Sequence, residues 1–314
     1  MLVRVIARRV VISVTLLVII PALTFVIEAL TPGNAADFLL GVSATPEQRA
    51  ALNHQLGLDQ PLWVRYLTWM GRFLHGDLGN SLFTGEPVSQ GLASWLPVSL
   101  SLLIGATLVT VVVGVAIGAA SAQHTGGIGR LIDSLSVLGI AVPNFWLAVV
   151  LVEVFAVTFR ILPATGYVQP QDSLIEWGLS LVLPVVALAF AGVTAVAKQT
   201  RDQMKDVLDR DFIRNLRANG VHERSVIYRH ALRNASIPIV TVIGQLFVGA
   251  LAGSVVVENI FVLPGLGSAA VQAATSHDYP VIQGISVYFT LIVIAVNVIV
   301  DIAYGWLNPQ VRSL

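Results

Sequence analysis

Six long apolar runs, at 10–30, 96–120, 131–156, 179–196, 237–257 and 282–307, constrain this chain more than any other feature. A helix needs ~20 apolar residues to cross the ~30 Å hydrocarbon core, and no water there can satisfy open backbone groups. The pattern predicts an all-α polytopic membrane protein with six transmembrane helices. The fourth run is the shortest and can extend toward Gln199. A mean hydropathy of +0.80 with 11% charged residues excludes an ordinary soluble domain. The organisation expected is a first part, 1–95, holding the first span and a long external loop, and a transmembrane core, 96–314, with a polar segment at 197–236. A cleaved signal peptide is the competing reading of the first run, since Arg4, Arg8 and Arg9 precede it, but the run is long for one.

Lys and Arg are retained on the cytoplasmic side, so their distribution sets orientation. With both termini inside, fourteen of the eighteen fall on the cytoplasmic side, nine of them between Lys198 and Arg233. Only Arg49, Arg65, Arg72 and Arg160 are left outside. The external loop then carries an amphipathic stretch at 62–74 whose Trp63, Tyr66 and Trp69 suit a helix lying at the lipid headgroups.

Catalytic signatures are missing. There is no cysteine, hence no disulfide, thiol nucleophile or cysteine-held metal. No GxxxxGK[ST] phosphate loop is present, so the chain has no recognisable means of binding ATP itself, and neither HExxH nor GxSxG occurs. Catalytic, cofactor and metal residues are accordingly expected to be absent, and an intramembrane enzyme is disfavoured. The pairs Gly114/Gly118 and Gly249/Gly253 have the spacing that lets helix backbones approach closely, which favours packing within the chain. Pro143, inside the third run, is expected to kink it. Among intramembrane carboxylates, Glu28, Asp133 and Asp301 lie near span ends, whereas Glu153 is deep, with Arg160 as a candidate partner. Charge at that depth costs ~2.5–3.5 kcal/mol on insertion scales, so Glu153, with Asn144 next to Pro143, is a candidate for a substrate pathway; a buried structural carboxyl is the alternative.

The polar segment between the fourth and fifth runs is the one large charged surface. Phe212, Leu216 and Asn219 fall at helical spacing with Arg214 and Arg217 on other faces, and Gly220 is suited to end the helix. A loop that only fixes topology needs positive charge alone. This one interleaves nine basic with five acidic residues and adds Phe212, Ile213 and Leu216, expected to be exposed, which points to docking of a soluble partner.

Several separated motifs then share an order. They are LTPGN at 30–34, LGLDQPL at 56–62, HGDLGNS at 75–81, VPNFW at 142–146, RANG at 217–220, RHALRNA at 229–235, PGLG at 264–267, DYPVIQG at 278–284 and NPQVR at 308–312. Along nearly its whole length the chain resembles the permease subunits of the peptide/nickel class of ABC importers, and its long outer loop resembles the first dipeptide or oligopeptide permease of such systems. The resemblance implies that 211–220 is a coupling helix seated on a separate ATPase, with Asp211, Phe212, Arg214, Leu216, Arg217, Ala218 and Gly220 as its docking residues. Leu216 stands where the family usually has Ala, and Asn219 where it often has Lys, which suggests a matched partner. The implied partners are a second homologous permease, two ATP-binding cassette ATPases that hold the ATP and Mg, and an extracytoplasmic substrate-binding protein, in a bacterial-type cytoplasmic membrane. No nucleic acid is implied. Two other readings stay open on the residues alone: an ion-coupled secondary transporter, for which Glu153 would bind the coupling ion, and a membrane scaffold that recruits a soluble protein. The substrate, whether peptide, nickel or another solute, is not legible.

Overall fold

The computed structural model describes residues 2–33, 35–41, 44–123, 139 and 141–307. These form α1 (Leu2–Leu30), α2 (Ala35–Leu40), α3 (Pro46–Gln55), α4 (Leu62–Leu74), α5 (Val88–Ala122) and α6 (Asn144–Leu151). Next come α7 (Leu174–Leu208), α8 (Asp211–Ala218), α9 (Glu223–Ile260), α10 (Leu266–Ser276) and α11 (Tyr279–Leu307). No strand occurs among the described residues. Five helices are long and apolar enough to span a membrane: α1 from Arg8 onward, α5, α7, α9 and α11.

The third expected span is only partly described, because 131–138 and 140, including Asp133, lie outside the described residues, as does the NPQVR motif at 308–312. What is described corrects the expected kink. Pro143 is extended (φ −66°, ψ 135°) and directly precedes α6 rather than bending a continuous helix. Proline has no N–H to donate and its fixed φ suits a helix start, so the break falls where no backbone bond is lost. α6 continues into a π-helical turn, Val152–Thr158. The fourth span extends past Gln199 to Leu208. Its last turns are polar, and Lys198 and Asp202 pair at 3.2 Å one turn apart.

The chain divides into two compact units. The first comprises 1–98 and 264–294, the second 99–263 and 295–314, so both α5 and α11 contribute to each.

In the first unit α4 packs against α1. Tyr66 donates its hydroxyl to the Val18 carbonyl at 2.9 Å, and Phe25 meets Tyr66 and Trp69 edge-on with centroids 5.7 and 5.9 Å apart. Edge-to-face geometry places the positive ring edge on the negative face of its neighbour. Of the three aromatics expected at the headgroups, Trp69 is therefore buried and Tyr66 half-buried, and Trp63 alone is exposed. Distant loops are tied to the turn before α11: Asp278 accepts from Ser81 Oγ at 2.5 Å and from the Leu82 N–H at 3.1 Å.

The second unit relies on close helix approach. A Cβ added at Gly118 would lie 2.5 Å from the Ala197 carbonyl oxygen and 2.6 Å from Thr200 Cβ; one at Gly114 would lie 2.9 Å from Val196. Both glycines thus bring α5 onto α7 within this chain. Lipid tails are as apolar as the side chains, so tight packing has to supply the attraction between helices. Ser99 and Glu258, both fully buried, add a 2.7 Å hydrogen bond between α5 and α9.

Gly118→Ala separates propensity from packing. Helix propensity alone would favour alanine by ~1 kcal/mol, but the obstructing atom is a backbone oxygen that cannot rotate away. Overpacking of this kind costs ~1–3 kcal/mol, so the variant should unfold earlier than wild type in detergent. An unchanged or raised midpoint would contradict this close approach of α5 and α7.

Candidate functional site

α8 is the exposed element expected to dock a partner, and its construction is local. α7 ends at Leu208, and Arg210 turns into an extended conformation (φ −74°, ψ 150°) that starts α8. Asp211 lies in the first turn and Arg217 in the last, each matching the sign the helix dipole favours. The end is a Schellman motif: the Val221 N–H donates to the Leu216 carbonyl at 3.1 Å, and the Gly220 N–H to that of Arg217 at 3.0 Å. Gly220 takes φ +73°, with no neighbour within 4 Å of where a Cβ would stand, so glycine is needed there for backbone reasons rather than for space.

Burial corrects one expectation. Ile213 is fully buried, not exposed, in a cluster with Met204, Val207, Val226, Ile227 and Ala231. Leu216 is half-buried against the same cluster. Spaced three apart, these two fasten α8 to the ends of α7 and α9. The outward face holds Asp211, Phe212, Arg214, Arg217, Ala218 and Asn219, with Phe212 as its large apolar group at 37% exposure.

Arg217 clamps Glu223 with two hydrogen bonds, Nε to Oε2 at 3.1 Å and Nη2 to Oε1 at 2.7 Å, which joins the end of α8 to the start of α9. Glu223 is the first residue of α9, in its polar opening turns and well ahead of the apolar run at 237–257 that spans the membrane. The Arg217 hydrogen bonds hold its carboxyl below the usual range. The contribution of this clamp is therefore present above the usual carboxylate pKa and is lost as pH falls through the lowered one. Both side chains are about half exposed, so the contribution is small. Arg214 and Asp211, 3.3 Å apart and more exposed, form a weaker surface pair.

The other candidates, Asn144 and Glu153, occupy different surroundings. Asn144 lines a cavity of about 160 Å³ in the second unit between α5, α6, α7 and α9. Thr107 and Thr110, also on its wall, commit their hydroxyls to the carbonyls of Leu103 and Ala189. The rest is small or apolar, and Gly249 has no neighbour within 4 Å of where a Cβ would stand, so it leaves the wall open. Gly253, outside this lining, lies against Leu188 and the Asn144 amide. Glu153 is exposed on the π turn, and Arg160, also exposed, is not its ion-pair partner. The buried carboxyls among the described residues are Glu28, Glu258 and Asp278 instead. Glu258 follows directly on an apolar run, and nothing in the sequence sets it apart. Glu28, expected from its place near a span end to reach the interface, is 8% exposed and accepts from Gln283 Nε2 at 3.2 Å.

Two family profiles cover nearly the whole chain. Residues 111–313 match the binding-protein-dependent transport system inner membrane component, and residues 1–103 match the N-terminal part of the membrane component of such systems. The chain belongs to this family. A putative peptide transport system permease protein of Brucella melitensis is 40% identical over 99% of both chains. The oligopeptide transport system permease protein AppB of Bacillus subtilis is 34% identical over 98% of each. The glutathione transport system permease protein GsiC of Salmonella paratyphi A is 38% identical over 94% of each. The protein is a multi-pass inner-membrane permease subunit of an ABC importer, a transport component and not an enzyme in itself.

Proposed function

We propose that the imported substrate is a short peptide and that α8 is the helix through which separate ATPase subunits drive transport. The substrate reading is supported by the peptide, oligopeptide and dipeptide systems to which the similar permeases belong. The observation that carries the coupling reading is the division of α8 into two faces: Ile213 and Leu216 anchor it to α7 and α9, and Phe212 with its charged neighbours is turned outward. A helix fastened in this way transmits displacement to two spanning helices instead of absorbing it in a loop. An aromatic anchor ringed by charge is the usual make-up of an interface hot spot. ATP binding would draw two such helices together, one from this chain and one from a second permease, and open the pathway toward a substrate-binding protein. Hydrolysis would return it. ATP and Mg belong to the ATPases in this scheme.

In the same reading the Asn144 cavity and the exposed Glu153 face are this chain's share of the pathway. A carboxylate exposed at membrane depth is tolerated where water or a partner subunit meets it. Six spans with both termini cytoplasmic satisfy the charge distribution, and place α8 inside and the loop of 31–95 outside.

Phe212→Asp tests coupling without disturbing the buried Ile213 anchor. A charge placed in an apolar contact without a partner costs a few kcal/mol. The variant should insert and fold as wild type yet lose ATPase copurification or uncouple hydrolysis from uptake; wild-type values for both would refute the assignment. Glu153→Gln keeps the side chain's size and should change the pH profile of uptake while leaving subunit assembly intact; an unchanged profile would remove Glu153 from the pathway. For orientation, single cysteines replacing the exposed Ser89 and Arg224 in this cysteine-free chain should react with an impermeant reagent from opposite sides of the membrane. Labelling of both from outside would exclude the six-span arrangement.

A further inference from the structure

A second polar cavity lies in the first unit, where the end of α1, the α3–α4 turn and the start of α11 converge. It measures about 370 Å³ and is lined among others by Glu28, Asn53, Asp59, Arg65 and Tyr279. Gln283 borders a larger neighbouring cavity of about 580 Å³ that shares Arg65 and Tyr279 with it.

Asp59 Oδ2 is engaged by His54 Nδ1 at 2.7 Å, but three acceptors at and beside the cavity lack a donor. Glu28 is 8% exposed, and Oε1 accepts from Gln283, but its buried Oε2 has no donor. Asn53 Oδ1 and Gln283 Oε1 are likewise buried without donors, and Gln283 is 1% exposed. All three are acceptors. A buried acceptor left without a donor is unfavourable, and a charged one more so. Arg65 supplies the opposite charge. Its guanidinium stands over the rings of Tyr279 at 5.3 Å and Phe25 at 5.9 Å. None of the ion pairs among the described residues engages it.

The arrangement discriminates between ligand classes. A metal ion is poorly served, since no cluster of three or more His, Asp or Glu side chains suited to a metal occurs among the described residues, and Arg65 repels it. Glu28 and Asp59 oppose a simple anion. An ammonium group supplies N–H donors to Glu28 and Asn53, and a carboxylate on the same molecule can take the bidentate geometry a guanidinium offers.

We propose that this cavity binds a short zwitterionic peptide, its N-terminal ammonium at Glu28 and its C-terminal carboxylate at Arg65. In the six-span orientation it opens outside, so the permease itself holds substrate before the peptide enters the membrane pathway. The choice of peptide as ligand rests on the peptide-import reading.

Calorimetry on the full chain in phosphatidylcholine nanodiscs tests the site. Alanyl-alanine should bind saturably, and its N-acetyl and amide forms should each bind about tenfold or more weakly, because each removes one charge-assisted contact. Glu28→Gln should weaken alanyl-alanine to the same degree without further weakening the N-acetyl form, and Arg65→Met should do the same with respect to the amide. The modified peptides probe wild-type protein, so the result stands even where a variant misfolds. No binding, or binding indifferent to both blocking groups, overturns the proposal. Sensitivity to only one blocked terminus overturns the zwitterion assignment. Dipeptide binding abolished by adding phosphatidylethanolamine identifies a lipid headgroup as the occupant and also overturns it. Uptake of the same dipeptide by the complete transporter is read separately: uptake without binding here removes this site alone, and binding without uptake removes the peptide-import reading alone.

Discussion

Every backbone N–H and C=O placed in hydrocarbon must find its partner within the protein, and the architecture follows from that requirement. Where helices stop, their ends are closed by nearby backbone. The Leu263 N–H donates to the Glu258 carbonyl at 2.8 Å, and the Gly166 N–H to that of Phe261 at 2.9 Å, so the turn after α9 and the loop before α7 seal each other. Pro143 marks a break at which one fewer donor needs a partner. The two π-helical segments among the described residues, Val152–Thr158 and Val226–Ala231, keep the backbone paired where an extra residue is taken into a helix.

The same economy shapes α8. Eight residues cannot hold a helix in water by propensity, so its order comes from Ile213 and Leu216 in the cluster below it, from the Gly220 cap and from the Arg217–Glu223 clamp. The inner face holds the helix in place and the outer face is left to a partner. Anchoring on both α7 and α9 makes the helix a junction between two spans, and the proposed coupling role depends on that rigidity.

Buried carboxylates divide in a similar way. Glu258 is enclosed with Ser99 between α5 and α9, where a hydrogen bond offsets part of the cost of burial. Glu28 is only half satisfied by Gln283 and borders a cavity. The two residues look alike in sequence, each an acidic group at the end of an apolar run, and differ only in what the fold sets opposite them.

The helical membrane class, the five spanning helices among the described residues, the short helix beginning at Asp211 and its stop at Gly220 were legible from the chain alone, because lipid thickness, helical periodicity and the αL preference of glycine act locally. So was the use of Gly114 and Gly118 for packing within the chain, since small residues one turn apart have few other uses in a membrane. Tertiary structure decided the rest. It turned Ile213 inward and left Phe212 outside, drew Trp69 under α1, and set Gln283 against Glu28 from 255 residues away. Periodicity defines the faces of a helix but not which neighbour covers each one; that choice is made by packing between segments far apart in sequence, where no local signal reaches.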